Sequence, residues 1–316
     1  MAKTGWRRVK GLGLAALAVL CTGSADPLSG RIDDADAIRF AAVFAASKGA
    51  PTPAQLQAGY LDGAGQGVAV FTPDRIVSAD NLAAAIKAEP ARYDYAIKTC
   101  LPLVAGLNAD LRATYLAYRG LLPDRPLPTI HVVFGAGNSG GTASADAQVL
   151  GLEVMCGPGT TPDQFKLTMR AMFAHETVHS WQAQPSRAAM RDLLLMAALR
   201  EGVPDYLAMM VTGRVPGPER DAWAREREAW LWQQFEADRR KLTDPEDPAS
   251  EAIFKRWFAN YGAAPEGWPF EAGYWVGMRI AESYVERATD KRAAINALIA
   301  MEDPRAILTA SGYAPH

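Results

Sequence analysis

Two of the four histidines in this chain lie in one short segment whose residue types could bind a metal ion. The segment AMFAHETVHSWQ (171–182) places His175 and His179 four positions apart, with Glu176 directly after the first histidine. Residues i and i+4 share one face of an α-helix, so both imidazoles could bind the same ion while Glu176 reaches a metal-bound water. The alternative is a buried helix in which both histidines are satisfied by hydrogen bonds.

A second segment contains carboxylates that would complete such a site. In ALREGVPDYLAMM (198–210), Glu201 and Asp205 are again four positions apart, and Glu201 follows His179 by 22 residues. Two histidines and a glutamate would leave a fourth position open for water, as in catalytic rather than structural zinc sites. Asp205 could accept a hydrogen bond from a ligating imidazole. Pro204 is compatible with a helix here if Glu201 lies in its first turn.

The two segments together resemble a known group of enzymes. HETVH followed by REGVPDY is similar to the glutamate-zincin (gluzincin) metallopeptidases, in which HExxH and a downstream E-x-x-x-D helix form the zinc site. The resemblance implies that Zn²⁺ is held by His175, His179 and Glu201. It also implies that Glu176 is the general base and that Asp205 is a supporting carboxylate.

A narrower resemblance extends from about residue 129 to the C-terminus. HETVHSWQ, the dipeptide Glu201–Gly202 and GYWVGMRIAESYVERATDKRAA (273–294) are similar to uncharacterised bacterial predicted zinc-dependent proteases. Both resemblances imply a zinc metallopeptidase that acts on a peptide or protein substrate.

Hydrolysis at such a site would depend on groups besides the ligands. Zinc lowers the pKa of its bound water and polarises the scissile carbonyl. Glu176 would accept the proton of the attacking water and pass it to the leaving amine. The developing oxyanion needs a further donor. Tyr274, beside a helical face formed by Gly273 and Gly277, is the candidate, with a packing aromatic as the alternative; a lone histidine in an apolar strand, His131, is more often structural.

Two other functions are compatible with the same residues. The first is a non-enzymatic envelope protein that keeps a zincin fold, with or without metal, as a binding module. The second keeps zinc-dependent hydrolysis but acts on a non-peptide amide. The complete set of HExxH, Glu201 and Asp205 favours the peptidase, because a degenerate relative need not retain all of them.

The elements that must position these residues are predicted to be mostly helical. Thr161, Pro162 and Gln164 form an N-terminal capping signal for a helix that runs from 161 to about 184. Apolar periodicity and Pro or Gly breaks predict the other helices. They are expected at 33–48, in two or three pieces over 79–121, and at 186–211, 217–241, 249–261, 269–287, 290–301 and 304–311.

Strand patterns are confined to the middle of the chain. TIHVVF (129–134) and QVLGLEVM (148–155) are rich in β-branched and apolar residues. The predicted fold is therefore α+β, a mostly helical zincin-like single domain with a small sheet before the HExxH helix. A helical N-terminal region, 26–128, is expected to pack with the metallopeptidase region, 129–316, as one unit.

A glycine-rich loop separates the two predicted strands. Its first part, GAGNSG (135–140), matches the dinucleotide fingerprint GxGxxG, but that fingerprint requires a helix next, and a strand pattern follows here. We therefore predict no nucleotide cofactor. The next part, GGTASAD (140–146), is either an exposed edge strand that pairs with an extended peptide or a flexible loop.

The N-terminus is typical of an exported protein. A basic start, MAKTGWRRVK, precedes the ten-residue apolar run GLGLAALAVL (11–20) and a small-residue exit, CTGSAD. This predicts a signal peptide over 1–25 and a periplasmic or secreted location, with a short cytosolic amphipathic start as the alternative. A lipid anchor at Cys21 is the one membrane attachment that the sequence suggests.

Charge and cysteine content limit the remaining functions. The formal net charge of −2 gives no basic excess for nucleic acid binding. If Cys21 is removed, Cys100 and Cys156 remain, and in an exported chain they form either a disulfide or two free thiols.

Overall fold

A four-stranded mixed sheet forms one layer of the fold. The computed structural model describes residues 26–187, 189–242 and 248–316, so the predicted signal peptide and Cys21 lie outside the described residues. The strands are β1 (Ile32–Asp33), β2 (Thr129–Val133), β3 (Gly141–Ala143) and β4 (Ala147–Gly151). In the order β1-β2-β4-β3, the first three are parallel and the edge strand β3 is antiparallel to β4.

Helices surround this sheet, and most begin or end within a few residues of the predicted positions. The predicted helix 217–241 is divided into two. Before β2 the helices are α1 (Ala35–Ala46), α2 (Pro53–Leu56), α3 (Gln66–Phe71), α4 (Ala79–Ala88), α5 (Pro90–Tyr95) and α6 (Asn108–Leu121). After β4 they are α7 (Leu152–Met155), α8 (Pro162–His179), α9 (Leu193–Thr212), α10 (Pro218–Arg225), α11 (Glu228–Lys241), α12 (Pro248–Trp257), α13 (Ala272–Arg287), α14 (Lys291–Ala300) and α15 (Pro304–Ser311).

The strand prediction is confirmed for β2 and is wrong for the second half of 148–155. That segment is a strand only to Gly151, and its remainder forms the helical turn α7. Glu153 in this turn is buried, and the backbone N–H of Gly137 donates to its Oε1 at 3.1 Å. A short apolar run does not distinguish a buried strand from a buried helix, which explains the error.

Helix α8 carries the HExxH segment and begins where its capping signal predicts. Thr161 Oγ1 accepts from the backbone N–H of Gln164, and Gln164 Oε1 accepts from that of Thr161, with Pro162 in the first helical position. The helix ends at His179 and not near 184, and Ser180 follows as its C-cap.

Glu201 does not lie in the first turn of its helix, where Pro204 would cost no backbone hydrogen bond. Helix α9 begins at Leu193, so Glu201 lies in its middle and Pro204 lies in the helix interior. A proline there removes one backbone hydrogen bond of the helix. The carbonyl that loses its donor is that of Arg200, and the side chain of Gln182 donates to it instead.

Helices α9 and α13 touch through their backbones. A Cβ on Gly202 would lie 2.2 Å from the carbonyl carbon of Gly277, and a Cβ on Gly277 would lie 1.8 Å from the carbonyl oxygen of Ala198. The backbones of the two helices are therefore in contact at this crossing. This contact brings the middle of α9, with Glu201, against the helix that carries Tyr274.

Two groups of buried apolar residues stabilise the fold. One surrounds α9 and α13, and the other lies between the sheet and the N-terminal helices. A disulfide between Cys100 and Cys156 joins the segment after α5 to the segment after α7. Together these elements form an α+β domain that is mostly helical. Among the described residues, no helix is both long enough and apolar enough to span a bilayer.

Candidate metal centre

His175, His179 and Glu201 converge where α8 packs against α9. One ligand atom from each lies within 4.8 Å of the other two. His175 Nε2 is 3.0 Å from His179 Nε2, and Glu201 Oε2 is 3.5 Å from the former and 3.2 Å from the latter. The structure thus brings together the three residues that the sequence predicts as metal ligands.

These separations fit a tetrahedral zinc ion. Zinc–nitrogen and zinc–oxygen bonds of about 2.0–2.1 Å place neighbouring ligand atoms about 3.3 Å apart, within the 3.0–3.5 Å measured here. The two Nε2 atoms also need a cation or a shared proton between them, because two bare imidazole lone pairs at 3.0 Å repel each other. The residues present therefore fit the ion that the sequence suggests.

Asp205 and Arg220 fix the orientation of His175. His175 Nδ1 lies 2.9 Å from Asp205 Oδ1, and since a carboxylate only accepts, Nδ1–H donates and Nε2 faces the centre. Arg220 Nη2 donates to Asp205 Oδ2 at 2.5 Å, and the two side chains are only 10% and 7% exposed. Arg220 Nη1 also donates to the carbonyl of Glu271 at 3.4 Å.

Gln182 and Trp181, just beyond the end of α8, hold the other side of the centre. Gln182 Oε1 lies 2.7 Å from His179 Nδ1. Trp181 Nε1 donates to the carbonyl of Pro126 at 2.6 Å, and its ring packs edge-on against Tyr118. These contacts tie the C-terminal end of α8 to α6 and to the connection that leads into the sheet.

Glu176, also on α8, faces the edge strand β3. It is buried, and a Cβ placed on Gly141 of β3 would lie 3.0 Å from Glu176 Oε1. Glycine at this position leaves room beside the carboxylate. Of the two alternatives for 140–146, an edge strand is present over Gly141–Ala143 as β3, and its Gly141 lies beside Glu176.

Tyr274 also lies at the centre. Its ring is stacked 6.2 Å from the imidazole of His175, and the Arg220 guanidinium lies over the same ring at 5.4 Å. Burial raises the pKa of the Tyr274 hydroxyl, and the negative charges of Glu201 and Glu271 raise it further, so the hydroxyl keeps its proton.

His131 is not part of this group. It lies on β2, where its Nδ1 is 3.3 Å from Asp33 Oδ2, and a Cβ on Gly67 would touch its side chain. This placement agrees with the structural interpretation of a lone histidine in an apolar strand.

The electrostatics of the centre favour positive charge. Burial alone would lower the pKa of His175, but hydrogen bonds with Asp205 and Glu201 outweigh it and raise the pKa well above its usual value. The pKa of His179 is also raised, because Glu201 outweighs burial there. Burial would raise the pKa of Glu201, yet its hydrogen bonds with the two histidines hold that pKa far below its usual value. The centre thus combines an ionised carboxylate with two imidazoles whose pKa values are raised. Such an environment is suited to a cation.

Two residues of this arrangement, Arg220 and Gln182, are not among those predicted from the sequence. No motif marks Arg220, because α10 meets α9 only in the folded chain. Spacing could have identified Gln182, since it lies three residues after His179 and within reach of its outer nitrogen around the helix end.

A comparison with protein families finds one match to part of the chain. The family model of the gliding motility protein GldB matches residues 192–315. This region includes Glu201, Asp205 and Tyr274 but begins after the HExxH segment, and it covers less than half of the chain. No curated protein and no solved structure matches.

The match contradicts the metallopeptidase prediction. The matched family is that of a gliding motility protein and not of a peptidase, so the assignments as gluzincin, zinc-dependent protease and hydrolase are wrong. HExxH with a downstream glutamate specifies a set of metal ligands, whereas a reaction depends on everything else around the ion. Glu176 and Tyr274 both lie beside the centre. The roles predicted for them, general base and oxyanion donor, depended on hydrolysis and fall with it.

Proposed function

We propose that this chain is a non-enzymatic binding protein of the cell envelope that holds a zinc ion at His175, His179 and Glu201. The observation that carries the proposal is the convergence of the three ligand atoms, with the outer nitrogen of each imidazole held by a neighbouring side chain. Two imidazoles and a carboxylate are ligands typical of zinc. Similarity to the GldB family supports an envelope protein over a peptidase.

The arrangement is zincin-like in its contacts. The edge strand β3 contacts the HExxH helix α8, and α8 contacts the glutamate helix α9. A zincin-like fold that serves binding needs the ligands and the edge strand but no proton transfer. In such a protein, His175, His179 and Glu201 would hold the ion, and β3 would hold the bound segment.

The partner in this proposal is an extended segment of another protein. Bound zinc supplies an electron-pair acceptor at the position that three protein ligands leave open. The side chains of His175, His179 and Glu201 remain 13%, 14% and 25% exposed, so the centre is not sealed from solvent. The free edge of β3 is partly exposed and can pair with an extended chain that passes the centre.

Export forms the second part of the proposal. The predicted signal peptide directs the chain to the periplasm or beyond, and Cys21 offers a site for a lipid anchor. The label of the matched family describes a lipoprotein, and the Cys100–Cys156 disulfide is typical of oxidising compartments. Replacement of Cys21 by serine should therefore move the mature protein from the membrane fraction to the soluble fraction. An unchanged distribution would contradict the anchor.

Metal analysis of purified protein tests the zinc site. We expect about one zinc per chain, bound by the three-ligand set, and His175→Ala should lose it. His316→Ala is the matched control, because His316 is an exposed histidine at the C-terminus. Equal zinc in the wild-type protein and in His175→Ala would contradict the site.

A peptide library tests binding against hydrolysis. Zinc-loaded protein should retain a subset of peptides, lose them after chelation, and leave their masses unchanged. Zinc-dependent cleavage would contradict a non-enzymatic role. Retention that does not change on chelation would contradict a role for the metal in binding.

A further inference from the structure

Pro204 leaves one carbonyl of α9 without its helical donor. In a regular α-helix the carbonyl of Arg200 would accept from the backbone N–H of residue 204, and proline has none. Gln182, from the segment after α8, fills this position: its Nε2 donates to the Arg200 carbonyl at 3.0 Å. The interruption in α9 thus provides an acceptor that a regular helix would not offer to another side chain.

This bond determines how the amide of Gln182 is oriented. A carbonyl oxygen can only accept, so the NH₂ group must face Arg200 and Oε1 must face His179. Oε1 lies 2.7 Å from His179 Nδ1, which must therefore carry the proton and donate it. The lone pair of His179 then lies on Nε2, the atom directed at His175 and Glu201.

We infer that Gln182 is a positioning residue of the metal centre and that Pro204 serves it by freeing the Arg200 carbonyl. The inference deepens the proposed zinc site and rests on it. It also explains why a proline occurs inside a helix that carries a metal ligand. Asp205 performs the same task for His175, so each imidazole has its own orienting acceptor.

Measurements of zinc affinity in two variants test whether Pro204 and Gln182 act together on His179. Gln182→Met keeps the length of the side chain but removes both hydrogen bonds, and it should weaken zinc binding by about 10- to 100-fold. Pro204→Ala restores the backbone N–H that competes for the Arg200 carbonyl, and it should weaken binding by a smaller factor while raising the melting temperature of the metal-free protein. Because both changes act through one chain of bonds, the double variant should bind zinc no more weakly than Gln182→Met.

The protonation site of His179 gives a measurement that does not need metal. Nitrogen chemical shifts of metal-free protein should show a proton on Nδ1 of His179, besides the proton that the two Nε2 atoms share. In Gln182→Met, Nδ1 of His179 should be only partly protonated while His175 is unchanged, a difference that a purely structural effect would not produce. A wild-type His179 without a proton on Nδ1, or unchanged protonation of that atom in the variant, would overturn the inference. A wild-type protein that binds no zinc yet shows this protonation would instead count against the proposed metal site alone.

Discussion

At the scale of single residues, the orientation of the two imidazoles depends on side chains outside the candidate ligand set. Arg220 and Asp205 are nearly buried and paired at 2.5 Å, and Asp205 in turn holds His175. A buried carboxylate that loses its cation is strongly destabilising. The polar network around the centre therefore stabilises both the fold and the site.

Arg220→Met tests this coupling. The change should lower the free energy of unfolding of the metal-free protein by about 3 kcal/mol, because Asp205 is left buried without its partner. Zinc affinity should fall about tenfold, since Asp205 still accepts from His175 but is less well fixed. Urea unfolding and zinc titration measure the two effects. Arg214→Met, at an exposed arginine, should change neither, and an equal effect of both variants would refute the coupling.

Glu153 gives a prediction of pH dependence outside the metal centre. Burial raises its pKa to about 7, although backbone N–H groups of Gly135 and Gly137 oppose the shift. In the unfolded chain the carboxyl ionises near pH 4.3, so the unfolded state loses its proton first as the pH rises. The contribution of Glu153 is therefore complete below about pH 4 and is lost between about pH 4 and pH 7, a decrease of about 4 kcal/mol in the free energy of unfolding.

The Glu153→Gln variant should remove that pH dependence. Denaturant unfolding at several values between pH 4 and pH 8 should show a steeper loss of stability in the wild-type protein than in the variant. Glu266→Gln, at an exposed glutamate, should follow the wild-type curve. Parallel curves for wild-type protein and Glu153→Gln would show that the carboxyl titrates normally in the folded state.

At the scale of elements, local sequence signals predict where helices begin better than they predict where a helix or strand is interrupted. The Thr161 capping box determines where α8 begins, because all of its partners lie within three residues. The role of Pro204 was not predictable, since the donor that compensates it comes from Gln182, on another segment. The turn after Gly151 was missed for a similar reason, because burial of Glu153 depends on the distant loop at Gly137.

The crossing of α9 and α13 should tolerate no side chain. Gly277→Ala places a methyl group 1.8 Å from the carbonyl oxygen of Ala198, so the two helices must separate. We expect a loss of about 3 kcal/mol or more in the free energy of unfolding, at the upper end of overpacking effects, and weaker zinc binding because Glu201 adjoins the crossing. Gly120→Ala is the matched control, since open space surrounds Gly120 in α6 and alanine should raise helix stability there. Similar melting temperatures for the two variants would contradict a backbone-to-backbone crossing.

At the scale of the whole molecule, spacing in the sequence predicted which side chains converge but not the function. The convergence of His175, His179 and Glu201 was predictable because helical periodicity places them on facing surfaces. The function was not predictable, because it depends on how β3, α10 and α13 surround these three side chains in the folded chain. The α+β class was predictable from the position of the β-branched segments, whereas β1 was not, since two residues carry no periodicity.

The Cys100–Cys156 disulfide provides a test of how the two groups of buried residues depend on each other. It closes a loop over a sequence separation of 56 within the group around the sheet, while the ligand Glu201 lies on α9 in the other group. Cross-linking a loop of this length stabilises by about 4 kcal/mol in the chain-entropy account, which corresponds to a melting temperature higher by roughly 10 °C. The double variant Cys100→Ser/Cys156→Ser should therefore melt about that much earlier. It should keep its zinc affinity, because both cysteines lie in the group around the sheet while Glu201 lies on α9 in the other group. A large loss of zinc affinity in the double variant would show that the sheet side of the fold also determines the geometry of the metal centre.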